Sequence, residues 1–311
     1  AFVLSMATLF GRYEYVAELG RGAGSRVLHA LDLAEHGTAR ALKIVAPDEG
    51  ERLSWELARL SEMDHPNVSR VRELLRVEQA VHAPFALVQG AWVLVEDLAP
   101  GQALDAALEP LRDDPRALLS AVFRVAVSTA EALTALHRAG LVHGDVKPAN
   151  VLATQAAKRV TLIDLGTARA PGFYPLVQGT PDYLAPEVWA GTCSFAQDTY
   201  ALGATLLDLI QGGQATLPSQ VGAAPWRVRD LTAVTRDVPL PWLELLRRML
   251  SLEPEGRPSD AMRLLAQLHA LGRRLHLGVP RSAALYATGR VAASAHELAA
   301  RALSGPFVGP T

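Results

Sequence analysis

The stretch His143-Gly144-Asp145-Val146-Lys147-Pro148-Ala149-Asn150-Val151-Leu152 constrains this chain more than any other. It sets an acid, a lysine and an amide within a few residues, with apolar runs on both sides. A second acid follows in Leu162-Ile163-Asp164-Leu165-Gly166, behind the apolar run that starts at Val160. Apolar runs this short, bounded by turn formers, read as strands. Two polar loops must therefore hang on short strands, and the rest of the chain must build a core that holds them. Asp145, Asn150 and Asp164 together offer oxygen ligands for a hard divalent cation and an acceptor for a hydroxyl proton. The plainer alternative is that both acids serve turns or caps.

Upstream, Leu19-Gly20-Arg21-Gly22-Ala23-Gly24-Ser25-Arg26-Val27 joins two apolar segments, Tyr15 to Leu19 and Val27 to Leu31, as a hairpin does. Glycines there let backbone N–H groups approach phosphates with no Cβ in the way, although a plain hairpin turn uses them too. The closing Gly-Lys-Ser/Thr of the Walker loop is missing. Lys43 lies in the apolar strand Ala39 to Val45. It is either an edge-strand charge or a buried cation aimed at phosphates, and the second needs a carboxylate partner. Glu56 is the candidate, on a segment from Glu51 to Met63 whose Leu53, Leu57, Leu60 and Met63 recur at the helical period.

Up to Leu98 the chain reads mainly as strands, the last being Trp92 to Leu98 before Pro100-Gly101. Beyond Gly101, helical patterns run over Ala117 to Ala139, Asp198 to Ile210, Leu240 to Leu250 and Ser259 to Arg274. With 311 residues the chain is long enough for two lobes. Aromatics are only 6%, so the apolar content is mostly Ala, Leu and Val, which favours helix-rich packing. The formal net charge of -2 gives no sign of a nucleic-acid partner. No membrane partner is expected either: the best apolar run, Ala121 to Leu136, is broken by Arg124 and Glu131. Ala1 to Leu9 is apolar but short and lacks a basic flank, which makes a poor signal peptide. The single cysteine, Cys193, excludes an internal disulfide and suits the reducing cytoplasm.

In this order and spacing the motifs resemble those of the eukaryotic-type serine/threonine protein kinases, in particular the catalytic domains of bacterial multidomain kinases. The resemblance covers about residues 12 to 270. It implies an α+β, bilobal fold. A small antiparallel β-sheet lobe with one main helix would occupy residues 12–98, a larger mainly α-helical lobe 99–272, and a C-terminal extension or linker 273–311. It implies ATP with Mg²⁺, or Mn²⁺ in its place, and protein substrates. Leu19, Gly20 and Gly22 match the start of the glycine-rich loop. Lys43, paired with Glu56, would hold the α- and β-phosphates. Val27, Ala41 and Leu152 would enclose the adenine, Val95 would be the gatekeeper, and the backbone from Glu96 to Leu98 would meet the adenine edge. Asp145 resembles the catalytic base, Lys147 the lysine that steadies the transferred phosphate, and Asn150 and Asp164 the metal ligands. The run from Gly179 through Thr180 to Ala185-Pro186-Glu187 is similar to the close of an activation loop. Asp198 resembles the acid that anchors the catalytic loop, and Arg257 the partner of Glu187. Lys147 with Thr180 is the combination that accompanies serine or threonine acceptors in this family.

The chain departs from the family pattern at Gly144, where an arginine usually grips an activation-loop phosphate. Ser25 replaces a glycine, and Leu165 the usual phenylalanine. His-Gly-Asp is the common form in kinase-like small-molecule phosphotransferases, but those lack the Gly179 to Glu187 segment. A nucleotide-binding pseudokinase is the other alternative, although every charged catalytic position is filled. After Gly278, Ala284 to Leu303 reads as an Ala-rich helix. Ser304-Gly305-Pro306-Phe307-Val308-Gly309 resembles the segment through which some bacterial kinases continue into an ATPase module. A fused C-terminal ATPase or regulatory module is therefore an expected partner, against a plain C-terminus. Without the arginine at 144, an activation-loop phosphate has no obvious anchor. Thr167→Ala should then leave phosphoryl transfer intact, and a large loss of rate in a kinase assay would show that the loop does need its phosphate.

Overall fold

Alternating side chains build the N-terminal sheet. Its strands are β1 (Thr8–Leu9), β2 (Tyr13–Arg21), β3 (Ser25–Asp32), β4 (Thr38–Val45), β5 (Val71–Arg76) and β6 (Trp92–Asp97). The computed structural model describes residues 8–21, 25–49, 60, 62–212, 231 and 238–278. The chain divides into two compact units. One runs to Asp64 and takes in Ser69–Leu98; the other joins His65–Val68 to the described residues from Ala99 on.

In the first unit the strand order is β1-β2-β3-β4-β6-β5, antiparallel throughout. Val27 stands opposite Lys43, Lys43 opposite Leu94, and Ala41 opposite Glu96. By the two-residue period these five share one face. Leu28, Leu42, Val93 and Val95 point the other way, into an outer core closed by Leu9, Tyr13, Phe85 and Leu87. Because β4 lies between β3 and β6, Lys43 is on an interior strand and is only 8% exposed. That overturns the edge-strand alternative. The helix expected over Glu51 to Met63, with Glu56 on it, lies almost entirely outside the described residues, and so does Gly22.

The second unit is helical, with α1 (Leu104–Leu108), α2 (Pro115–Arg138), α3 (Phe195–Gln211), α4 (Leu240–Met249) and α5 (Ala261–Leu275). The Asp114 side chain accepts from the N–H groups of Arg116 and Ala117, and Pro115 takes the first helical position, where a missing N–H costs nothing. α2 is long and apolar enough to cross a membrane, but 72% of its most apolar window is buried within the protein, as for a core helix. Phe123 on α2 meets Trp242 on α4 edge-on, with ring centroids 5.5 Å apart. Gly203 lets α3 and α4 close together, since a Cβ there would stand 2.8 Å from the Met249 Cβ.

Three short strands, β7 (Gln102–Ala103), β8 (Val151–Ala153) and β9 (Val160–Leu162), form a second sheet. β8 and β9 place Asn150 and Ile163 side by side, with the Ile163 N–H donating to the Asn150 carbonyl at 2.9 Å. Asn67 is tied to β9 at both ends of its residue: its carbonyl accepts from Leu162 N–H and its amide donates to the Val160 carbonyl, both at 2.7 Å. These bonds attach His65–Val68 to the second unit. β10 (Gly172–Phe173) pairs with β11 (Thr192–Cys193). Cys193 is buried, which pushes its thiol pKa up and keeps it protonated.

At one end of the outer face Asp32 is fully buried, and the Arg12 guanidinium donates to both its oxygens at 2.7 Å. These bonds hold the Asp32 carboxyl below the usual carboxylate range, against the opposing effect of burial. A group depressed in this way stabilises the fold above about pH 4, and its contribution is lost as pH falls through its lower folded value. The free energy of urea unfolding should therefore drop as the pH is lowered below about 4, with Asp32→Asn flattening that slope. An identical slope in the variant would remove Asp32 from the acid response.

Candidate active site

The loop that opens at His143 is fixed from three directions, all within the second unit. Val142 and Arg169 exchange both backbone hydrogen bonds, at 2.8 and 3.0 Å, and so hold the loop entry. Asp198, in the first turn of α3 and fully buried, accepts from His143 N–H at 2.8 Å and from Gly144 N–H at 2.9 Å. His137, at the end of α2, completes the set through Nε2, 2.9 Å from Asp198 Oδ2. Its Nδ1 accepts from Ala261 N–H at 3.1 Å, so the proton sits on Nε2 and is donated to Asp198. A buried carboxylate with three donors is satisfied, and it orients the backbone it grips. Sequence reasoning missed His137: in the chain it is one more histidine at a helix end.

Asp145 is 9% exposed and has four donors converging on its two oxygens. Thr180 supplies two of them to Oδ1, its N–H at 2.8 Å and its hydroxyl at 2.7 Å. Lys147 Nζ reaches Oδ2 at 2.8 Å, and Asn150 Nδ2 reaches it at 2.9 Å. Lys147 Nζ also donates to the Thr180 hydroxyl at 2.6 Å. The His143 ring ties the loop to the second polar segment: its Nδ1 accepts from Asp145 N–H at 3.2 Å, and its Nε2 donates to the Ile163 carbonyl at 3.2 Å. Asp164 follows with a left-handed backbone, φ 61° and ψ 70°, and accepts from Gly166 N–H at 3.3 Å. For a residue other than glycine this conformation is strained, and such strain gathers at working sites. Leu165, in the place of the usual phenylalanine, is 2% exposed.

Because Asn150 turns its N–H side to Asp145, its amide oxygen is the atom left for a cation. Among the described residues no three His, Cys, Asp or Glu side chains gather as a metal cage. Two oxygen-bearing side chains on adjoining strand ends suit Mg²⁺, which takes most of its ligands from phosphate and water.

In the first unit, Leu19 and Gly20 end β2 and are exposed, whereas Ala41 and Lys43 are buried on the shared face with Val27. Val95, expected beside the nucleotide, packs in the outer core with Leu28 and Leu42; its neighbour Leu94 shares the Lys43 face instead. Glu96 is 6% exposed at the end of β6, and Leu98 follows the strand. Leu152 is half-buried on β8, in the second unit.

Residues 13–269 match the family model described as the protein kinase domain. The chain belongs to the protein kinase family. It is 34% identical over 289 residues to the serine/threonine-protein kinase PkaA of Streptomyces coelicolor, covering 82% of this chain and 49% of that protein. It is 32% identical over 239 residues to the serine/threonine-protein kinase PknJ of Mycobacterium tuberculosis, covering 72% of this chain and 38% of the relative. The chain thus spans half or less of the length of these relatives. Among solved structures, the PK-1 kinase of Cydia pomonella granulovirus superimposes with a TM-score of 0.64 at 21% identity, over 83% of this chain and 94% of that one. The fold is the protein kinase fold, with an N-terminal antiparallel sheet and a helical C-terminal region.

Two features of this kinase domain bear on its departures. Gly144 has φ +81°, and a Cβ there would stand 3.2 Å from the Thr167 carbonyl oxygen, so the loop is shaped around glycine. Gly179, at φ +111°, packs against it: an added Cβ would meet the Gly144 carbonyl at 2.7 Å. The Thr167 hydroxyl donates to the His143 carbonyl at 2.8 Å. A modest loss in Thr167→Ala would therefore reflect a loosened loop, a large one a lost phosphate site, and phosphopeptide mapping separates the two.

Glu187 and Arg257 form the pair that the sequence implies. Arg257 Nη1 and Nη2 bind the two Glu187 oxygens at 2.7 and 2.9 Å. The remaining Arg257 donors reach the carbonyls of Ser251, Leu252 and Ala196. The Arg257 side chain is 0% exposed and that of Glu187 10%, so removing the arginine strands a nearly buried carboxylate. Arg257→Ala should cost about 3–5 kcal/mol in chemical denaturation, and a loss well under about 1 kcal/mol would mean that the pair is solvated.

Proposed function

We propose that this chain transfers the γ-phosphoryl group of ATP to serine or threonine hydroxyls of proteins. The observation that carries the proposal is the Asp145 cluster, in which a carboxylate already holds a threonine hydroxyl at 2.7 Å beside a lysine. Asp145 acts as the proton acceptor or orienting group for the substrate hydroxyl. Its four lone-pair positions are taken by Thr180, Lys147 and Asn150. An arriving hydroxyl needs one of them, and Lys147 vacates it by turning toward the phosphoryl group. Thr180 keeps its backbone bond and holds the carboxylate still.

Lys43, with Glu56 as its expected partner, holds the α- and β-phosphates. Leu19 and Gly20 cover them, while Val27 and Ala41, on the same sheet face as Lys43, bound the adenine. Asn150 and Asp164 hold Mg²⁺, which when bound offsets charge on the phosphates. Positioning and electrostatics carry most of such a reaction, because the protein has little covalent work to do. Protein substrates are part of this proposal.

The test is Mg²⁺-dependent transfer from labelled ATP to the chain itself and to a generic protein acceptor, with sites mapped by mass spectrometry. Asp145→Asn should lower the rate by about 10²- to 10⁴-fold while ATP still raises the melting temperature. Phosphoserine or phosphothreonine that persists undiminished in the variant would overturn the role of Asp145. No transfer by the unaltered chain, with ATP binding retained, would make it a nucleotide-binding module.

A further inference from the structure

The outer face of the N-terminal sheet ends in a closed ring of ion pairs that the phosphoryl-transfer residues do not touch. Arg72 grips both oxygens of Asp97, each at 2.7 Å. Arg40 reaches the same carboxylate at 2.5 Å and Asp32 at 3.7 Å. Arg12 binds Asp32 in turn and extends to Glu73 at 2.9 Å, where the Tyr13 hydroxyl also donates. Glu73 follows Arg72 in β5, so the circuit closes. It closes because of a bulge: Val71 stands opposite Glu96 and Glu73 opposite Val95, leaving Arg72 as the extra residue. A bulge re-aims side chains, and here it lets two consecutive residues join one network. Arg40 is 3% exposed and Asp32 is fully buried, so salt screens this part of the ring little.

Asp97 is the last residue of β6 and the middle of the Glu96 to Leu98 run. Its N–H is bonded to the Arg70 carbonyl at 2.9 Å, and the Ser69 hydroxyl reaches its carbonyl at 3.4 Å. Side chain and backbone of Asp97 are thus both committed to the sheet. Glu96 lies on the Lys43 face, whereas Asp97 pairs with Arg40 on the outer face. We propose that Arg72 is a positioning residue for the nucleobase: through Asp97 it fixes the strand end whose backbone meets the adenine edge. This rests on the nucleotide-binding reading above. A two-point guanidinium–carboxylate contact resists rotation where a single contact does not. Hydrogen bonds to a flat base edge weaken steeply with misalignment, while the triphosphate is held elsewhere.

The test uses the whole 311-residue chain. Transfer to a protein acceptor is measured against ATP concentration, with GTP as competitor, for wild type, Arg72→Ala and Arg72→Lys. Arg72 is 35% exposed, so its truncation opens no sealed cavity. Arg72→Ala should raise KM for ATP roughly three- to ten-fold with kcat unchanged, and weaken the preference for ATP over GTP by a similar factor. Lysine, with one point of contact, should restore only part of it. A residue that only stabilises the sheet would leave the base preference unmoved. An unmoved preference, or a fall in kcat at constant KM, overturns the inference. If the alanine variant does not fold, the lysine variant carries the same comparison. ATP-induced rise in wild-type melting temperature separates the failures. Without that rise the nucleotide reading fails and this inference with it; with the rise and an unmoved preference, only the role of Arg72 is lost.

Discussion

The buried Asp198 carboxylate is the constraint on which the catalytic loop depends. Taking such a charge out of water costs several kcal/mol unless donors replace the lost hydration. Here the donors are two consecutive backbone N–H groups, those of His143 and Gly144, and the ring of His137. The carboxylate therefore dictates the direction of two adjacent peptide planes just before Asp145. That is a stronger constraint than any single side-chain contact gives, because a peptide plane carries its neighbours with it. The end of α2, the loop and the start of α3 become one object, and Ala261 at the start of α5 joins through His137 Nδ1.

The glycine at 144 follows from that arrangement. With its N–H pulled to Asp198, residue 144 lies in the left-handed region, where a Cβ costs about 1–2 kcal/mol. Gly179 then sits against its carbonyl with no room for a side chain of its own, and Thr180 reaches Asp145 from the adjoining position. In place of an arginine on a phosphorylated loop, the described contacts join the activation segment to the catalytic loop directly. They do so through Thr180 on Asp145 and Thr167 on the His143 carbonyl. The loop is thus seated by short-range hydrogen bonds, one to a backbone carbonyl and one to the Asp145 carboxylate.

What was legible in the sequence is what local spacing determines. Short apolar runs bounded by turn formers marked β2, β3, β4 and β6, and the helical period marked α2, α3, α4 and α5 to within a few residues. The motif residues Asp145, Lys147, Asn150 and Thr180 come together in one cluster, and Glu187 meets Arg257. What escaped depends on partners remote in the chain. β5 reads poorly as a strand because its bulge at Arg72 breaks the alternation. Val95 looks equivalent to Leu94 in a run of apolar residues, and only the register with β4 tells which face each one takes. His137 has no local mark at all, since its role is set by residues 61 and 124 positions away.

The two units solve the problem of buried charge differently. In the second, Glu187 is matched to Arg257, but around the catalytic loop Asp198 and Asp145 are each surrounded by donors, most of them backbone or neutral, that set the direction of the carboxylate. In the first, charges are matched in a ring, arginine against carboxylate, around the end of a sheet. Ion pairs of this sort add little stability over a well-packed apolar cluster, and their better-attested use is to fix geometry. An apolar sheet end would hold the strands together but leave their relative pitch soft. Forked contacts along the circuit hold Asp97 and Asp32 at two points each. The rigidity is spent at the end of β6, a strand end that leads directly out of the N-terminal unit, and that location is better explained by a demand on backbone direction than by a demand for stability.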